Sequence, residues 1–95
     1  NILALQHKFL SIQEQQHCQN DASKITVAWT AKEAAYKYQG RRGVEFIEHL
    51  PISSWQENKD FVNISINLQL IHPSMQIDIK SFIFNDFALS IACEL

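Results

Sequence analysis

Glycine, proline and cysteine are scarce in this chain, with two of each in 95 residues and a single methionine. So little Gly and Pro excludes collagen-like and low-complexity classes. Cys18 and Cys93 stand far apart. A disulfide-stapled secreted domain usually carries four or more cysteines at close spacing, so two reduced thiols in a cytoplasmic protein are expected. Neither cysteine has metal-ligand spacing, and His17 beside Cys18 is not a metal site by itself. Long apolar runs are missing as well. None approaches the roughly 18 residues of a membrane span, and Gln6, His7 and Lys8 interrupt the opening stretch too early for a signal peptide. No strong charge excess exists either, since 8 basic and 10 acidic residues leave a net −2. Nucleic-acid binding fits poorly, because no surface interleaves basic and aromatic residues. What the chain does have is 46% hydrophobic and 11% aromatic residues. That is enough for one modest core, too little for two, and incompatible with disorder.

The pattern changes near Gly40. Residues 1–10 carry a weak helical stripe of Ile2, Leu3, Leu5, Phe9 and Leu10. Ser11-Ile12-Gln13-Glu14 fits a capping box that opens a short helix to about Gln19. Asp21 or Ser23 then caps a helix over 23–39, rich in Ala, Lys, Glu and Tyr and closed by Gly40. Beyond it, 43–47 reads as a short strand. From Phe61 to Ile71 apolar and polar residues alternate, as in a strand with one buried face. His72-Pro73-Ser74 turns the chain. Met75, Ile77 and Ile79 alternate again. The phase then slips, predicting a bulge near Lys80-Ser81 before Phe82 and Phe84. After a turn at Asn85-Asp86, Phe87, Leu89, Ile91, Cys93 and Leu95 make the last strand. The expected fold is α+β, helices packed on an antiparallel β-meander, in one domain over 1–95.

Charge is concentrated on the long helix and its exit. Lys24, Lys32, Lys37, Arg41 and Arg42 surround the single acid Glu33 in 24–42, a local +4. Trp29, Glu33 and Lys37 fall in one helical row, and Lys32 and Tyr36 in the next. One carboxylate embedded among cations suits a polyphosphate whose divalent metal needs an oxygen ligand. The same spacing also describes ordinary helix-surface ion pairs.

Trp29-Thr30-Ala31-Lys32-Glu33-Ala34-Ala35-Tyr36-Lys37, followed by a Gly-containing turn, resembles the signature helix of the 4'-phosphopantetheinyl transferases. His7-Lys8-Phe9-Leu10-Ser11-Ile12-Gln13-Glu14 is similar to the basic-aromatic stretch that precedes it in that family. Gln39-Gly40-Arg41-Arg42-Gly43-Val44-Glu45-Phe46 resembles its exit turn, and 87–92 its closing strand. The resemblance implies magnesium-dependent transfer of phosphopantetheine from coenzyme A to a serine of an acyl or peptidyl carrier protein, as in fatty acid biosynthesis. Adenosine 3',5'-bisphosphate is the other product. It implies Glu33 as metal ligand and catalytic carboxylate, Lys37 as catalytic and phosphate-binding, and Lys32 as a second phosphate contact. Glu14 matches an acidic residue near the site, and Trp29 a mainly structural one. His7, Lys8 and Arg41 are further candidates for coenzyme A, and Arg42 for phosphate or an acidic carrier helix.

The family's Gly-x-Asp strand has no counterpart here, since Asp21, Asp60, Asp78 and Asp86 stand in other contexts. The expectation is therefore the C-terminal lobe of a two-lobed, pseudo-twofold enzyme of the surfactin-synthetase-activating type. Such a lobe is inactive by itself and completed by a missing N-terminal lobe or a second subunit. Two alternatives stay open, a non-catalytic carrier-binding module and a small trimeric holo-acyl-carrier-protein synthase. His49 and His72 lack ligand spacing. Trp55 is read as a core edge or lobe contact.

Overall fold

The computed structural model describes residues 1–69, 75–83 and 88–93. Asn1 caps helix α1 (Ile2–Leu5), which runs into a 3-10 turn at Gln6–Lys8. Helix α2 (Ile12–Cys18) opens on the expected capping box. Glu14 N donates to Ser11 Oγ at 3.1 Å, and Ser11 N donates back to Glu14 Oε1 at 2.9 Å. Helix α3 (Ala22–Gln39) starts where Asp21 Oδ1 accepts from Ser23 N and Lys24 N. It stops at Gly40, whose φ of 74° is left-handed and suits a residue without Cβ.

A meander follows, with strands β1 (Ile52–Glu57), β2 (Val62–Leu68), β3 (Met75–Ile83) and β4 (Ala88–Cys93) in the order β1-β2-β3-β4, each pair antiparallel. This is the expected α+β arrangement. Helix α3 lies between two cores. On the sheet side Val27, Ala31 and Ala35 pack with Leu50, Val62, Ile64, Ile66, Leu68, Ile77 and Ile79. On the other, Ile25 and Ala28 pack with Phe9, Leu10 and Cys18. Each fully buried Ile or Leu contributes roughly 1.5–3 kcal/mol over its exposed state.

Four local readings are corrected. Residues 43–47 do not form a strand. Phe46–His49 make a short helix, α4, with His49 N donating to Glu45 O at 2.8 Å and Glu45 N donating to His49 Nδ1 at 2.9 Å. Five residues are too few to separate the two periods. Strand β1 was not expected, because Ile52-Ser53-Ser54-Trp55-Gln56-Glu57 is mostly polar and its two apolar residues, Ile52 and Trp55, do not alternate with period two. As an edge strand it buries little, and only its pairing with β2 makes it a strand. Trp55 does sit at the core edge, opposite Ile64 and against both clusters.

The bulge at Lys80-Ser81 is absent. The β2–β3 register runs unbroken from Met75 to Ser81, and Ser81 takes the inward place. Its hydroxyl bonds Ser90 Oγ at 2.7 Å, which bonds Thr30 Oγ1 of α3 at 2.7 Å. Buried hydroxyls satisfied in this way occupy an apolar phase, and that is why the pattern seemed to slip. Strand β4 is turned over relative to expectation. Ala88 and Ala92 pack on the core and Ser90 reaches α3, while Ile91 is 49% exposed. Small residues let α3 approach this strand closely. The expected turns at 72–74 and 85–86, together with Leu70, Ile71, Phe84, Phe87 and Leu95, lie outside the described residues.

Candidate functional site

The capping box does more than open α2. Glu14 Oε1 also accepts from Lys32 Nζ at 2.8 Å, and Glu14 Oε2 accepts from Ile52 N at 2.8 Å. One carboxylate thus joins α2, α3 and β1. Lys32 is fully buried, and its ammonium donates to Phe9 O and Phe46 O at 2.9 Å each as well as to Glu14. An ammonium has three protons, and all three are used. Burial holds the Lys32 pKa below the ordinary lysine value of 10.5, and the Glu14 hydrogen bond and charge oppose that shift. The expectation that Lys32 contacts coenzyme A phosphate is corrected on this geometry. Its charge is spent inside the fold, and the exposed basic surface is smaller by one cation than the sequence count suggests.

Around this node the aromatic side chains form a chain. Trp29 lies 4.8 Å from Phe9 and 5.4 Å from Phe46, and Tyr36 lies 5.7 Å from Phe46, all centroid to centroid. Phe9, Trp29 and Phe46 border a mostly apolar cleft of about 520 Å³, lined also by Lys8, Val44, Glu45 and Ile47. Glu33 stands one helical turn beyond Trp29 on the same row, partly exposed, and its carboxylate has no hydrogen bond or ion pair with any described residue. Lys37 follows one turn later and is exposed.

The other candidates separate. Lys8 lines the cleft, whereas His7 lines a different hollow with Leu10, Ser11, Ile12 and Ile47. Arg41 and Arg42 are exposed past Gly40, with the Arg41 backbone held by Gln39 through Arg41 N to Oε1 and Nε2 to Arg41 O, both 2.9 Å. His49 accepts from a backbone N–H, and His72 lies outside the described residues. Among the described residues no three His, Cys, Asp or Glu side chains converge to hold a metal. Glu33 fits as one oxygen ligand, not as a whole metal site. The reading of the sequence missed Val44 and Phe46 as cleft walls because it put them in a strand.

A family model described as 4'-phosphopantetheinyl transferase superfamily matches residues 1–92. The chain belongs to this superfamily. Its members act on carrier proteins with coenzyme A, and phosphopantetheine transfer is the general activity this membership carries. No curated protein and no solved structure matches the chain. In this superfamily domain no helix among the described residues is long and apolar enough to cross a membrane.

Cys18, in the wall of a third hollow with Glu14, His17 and Trp55, is a free thiol buried at 1% exposure. Burial raises its pKa from 9.0 to about 11, against the opposing pull of Lys24. Between these values the folded state holds the proton and the unfolded state releases it. The stability due to the thiol is therefore complete below pH 9 and is lost as pH rises toward 11. Urea midpoints measured from pH 8 to 11 are expected to fall with pH, and less steeply in Cys18→Ala. Parallel pH profiles would refute this.

Proposed function

We propose that this chain is the C-terminal lobe of a magnesium-dependent phosphopantetheinyl transferase acting on an acyl or peptidyl carrier protein. The observation that carries the reading is the row Trp29, Glu33, Lys37 beside an apolar cleft, with Glu33 unpaired among the described residues. A carboxylate left without a protein cation, one helical turn before the exposed Lys37, is set to serve something outside the fold.

In this reading Glu33 would supply one oxygen ligand to magnesium, together with groups beyond the described residues. When bound, the metal offsets charge developing on the leaving bisphosphate. Lys8 in the cleft wall and Lys37 on the exposed row of α3 neutralise phosphate oxygens, with Arg41 past the helix exit as a further contact. The apolar wall of Phe9, Trp29 and Phe46 receives the pantetheine arm. The carrier's serine oxygen forms a new bond to the phosphorus of coenzyme A's diphosphate that bears the pantetheine. The bond from that phosphorus to adenosine 3',5'-bisphosphate breaks, and Glu33 draws off the serine proton. The exposed cations speed encounter with an acidic carrier helix.

Incubating the full-length protein with coenzyme A, magnesium and apo carrier is expected to add phosphopantetheine to the carrier serine, read by mass spectrometry. Carrier binding without transfer would sink this reading and favour a non-catalytic module. Coenzyme A with magnesium at about 100 times its Kd is also expected to stabilise the protein by about 2.7 kcal/mol. A thermal unfolding midpoint unmoved by millimolar coenzyme A would count against a coenzyme A site.

A further inference from the structure

Phe9 and Phe46 stand on the walls of the cleft and come from segments far apart in sequence. Their carbonyls meet at one atom, Lys32 Nζ, at 2.9 Å each. Lys8 precedes Phe9, and Glu45 and Ile47 flank Phe46. Most of the side chains that line the cleft are therefore carried by the two peptides the ammonium holds. The third proton goes to Glu14, which itself anchors Ser11 N and Ile52 N. Lys32 is also the residue next to Glu33 on α3.

A buried ion pair is a poor source of stability, since well-packed apolar groups of similar volume often do as well or better. What an ammonium does and a methyl cannot is draw two carbonyls from separate segments onto one point of a helix. We propose that Lys32 is a positioning residue for the transfer. By tying Phe9 and Phe46 to α3 it sets the width of the cleft and the placement of its walls relative to Glu33. This rests on the transferase reading above, in which that cleft holds the pantetheine arm.

The test compares the full-length parent with Lys32→Met/Glu14→Gln, which removes both charges at similar volume. Hydrogen exchange is followed at 7–10 and 44–49, and steady-state transfer is measured against coenzyme A. The double variant is expected to melt within about 5 °C of the parent. Exchange at 44–49 is expected to rise by about tenfold or more while β2 and β3 stay protected. The kcat is expected to fall by about 100-fold, with KM for coenzyme A changed by less than about threefold. Parent-like exchange in both segments would overturn the proposal, as would a tenfold rise in KM with kcat intact. If the parent shows no transfer, the transferase reading fails, and exchange still decides whether Lys32 holds the walls. If the double variant does not fold, ¹⁵N-lysine spectra of the parent decide. The Lys32 ammonium signal should stay protected and unmoved when coenzyme A and magnesium are added. A large shift would mean direct phosphate contact and would overturn the proposal.

Discussion

Lys32→Met alone is expected to destabilise the protein by about 3–5 kcal/mol, the cost of leaving one member of a buried pair without the other. The methionine fills much of the lysine's volume, so the loss is electrostatic and not steric. Phe9 O and Phe46 O lose their donor in a closed interior, and Glu14 keeps its charge with only Ser11 N and Ile52 N to satisfy it. A domain of this size has about 5–15 kcal/mol in all, so roughly a fifth or more disappears. The thermal midpoint should drop by more than about 10 °C. Adding Glu14→Gln should return part of that loss, because the unpaired carboxylate is then gone, and a double-mutant cycle measures the coupling directly. A midpoint within about 2 °C of the parent for Lys32→Met would show that the pair carries no net coupling.

Glu33→Gln is expected to lower kcat for phosphopantetheine transfer by at least about 100-fold, on the scale of removing one group that stabilises developing charge. It should leave the melting temperature in place, because the Glu33 carboxylate bonds nothing among the described residues. The variant should also need more magnesium for half-maximal rate, since an amide is a weaker ligand than a carboxylate. Lys37→Ala separates binding from chemistry. It is expected to raise KM for coenzyme A by about tenfold with a smaller change in kcat, as loss of ground-state phosphate contact predicts. Full transfer activity in Glu33→Gln at limiting magnesium would remove Glu33 from the site.

Most of the architecture was legible because its signals are local. The capping box at Ser11 and Glu14, the Asp21 cap and the Gly40 stop each act within one helical turn, and the structure contains all three. Alternation in 62–68 and 75–79 marked two strands, because one face of each is buried against α3. The failures came where a polar residue had a private partner. Ser81 broke the pattern only because its hydroxyl finds Ser90, and β1 was silent because an edge strand has little to bury. The site divided along the same line. That Glu33 and Lys37 share one helical row could be read from spacing, since such a row keeps its sequence order in space. The role of Lys32 could not, since it depends on Glu14, Phe9 and Phe46.

By itself the sequence determined the helix that bears the signature row, the meander that supports it and the family to which both belong. These follow from periodicity, caps and motif, all carried by near neighbours along the chain. Only the tertiary structure decided which of two adjacent charged residues faces outward. Lys32 and Glu33 differ by one position and about 100° of helical rotation. That rotation places one against three acceptors from distant segments and leaves the other partly exposed to solvent.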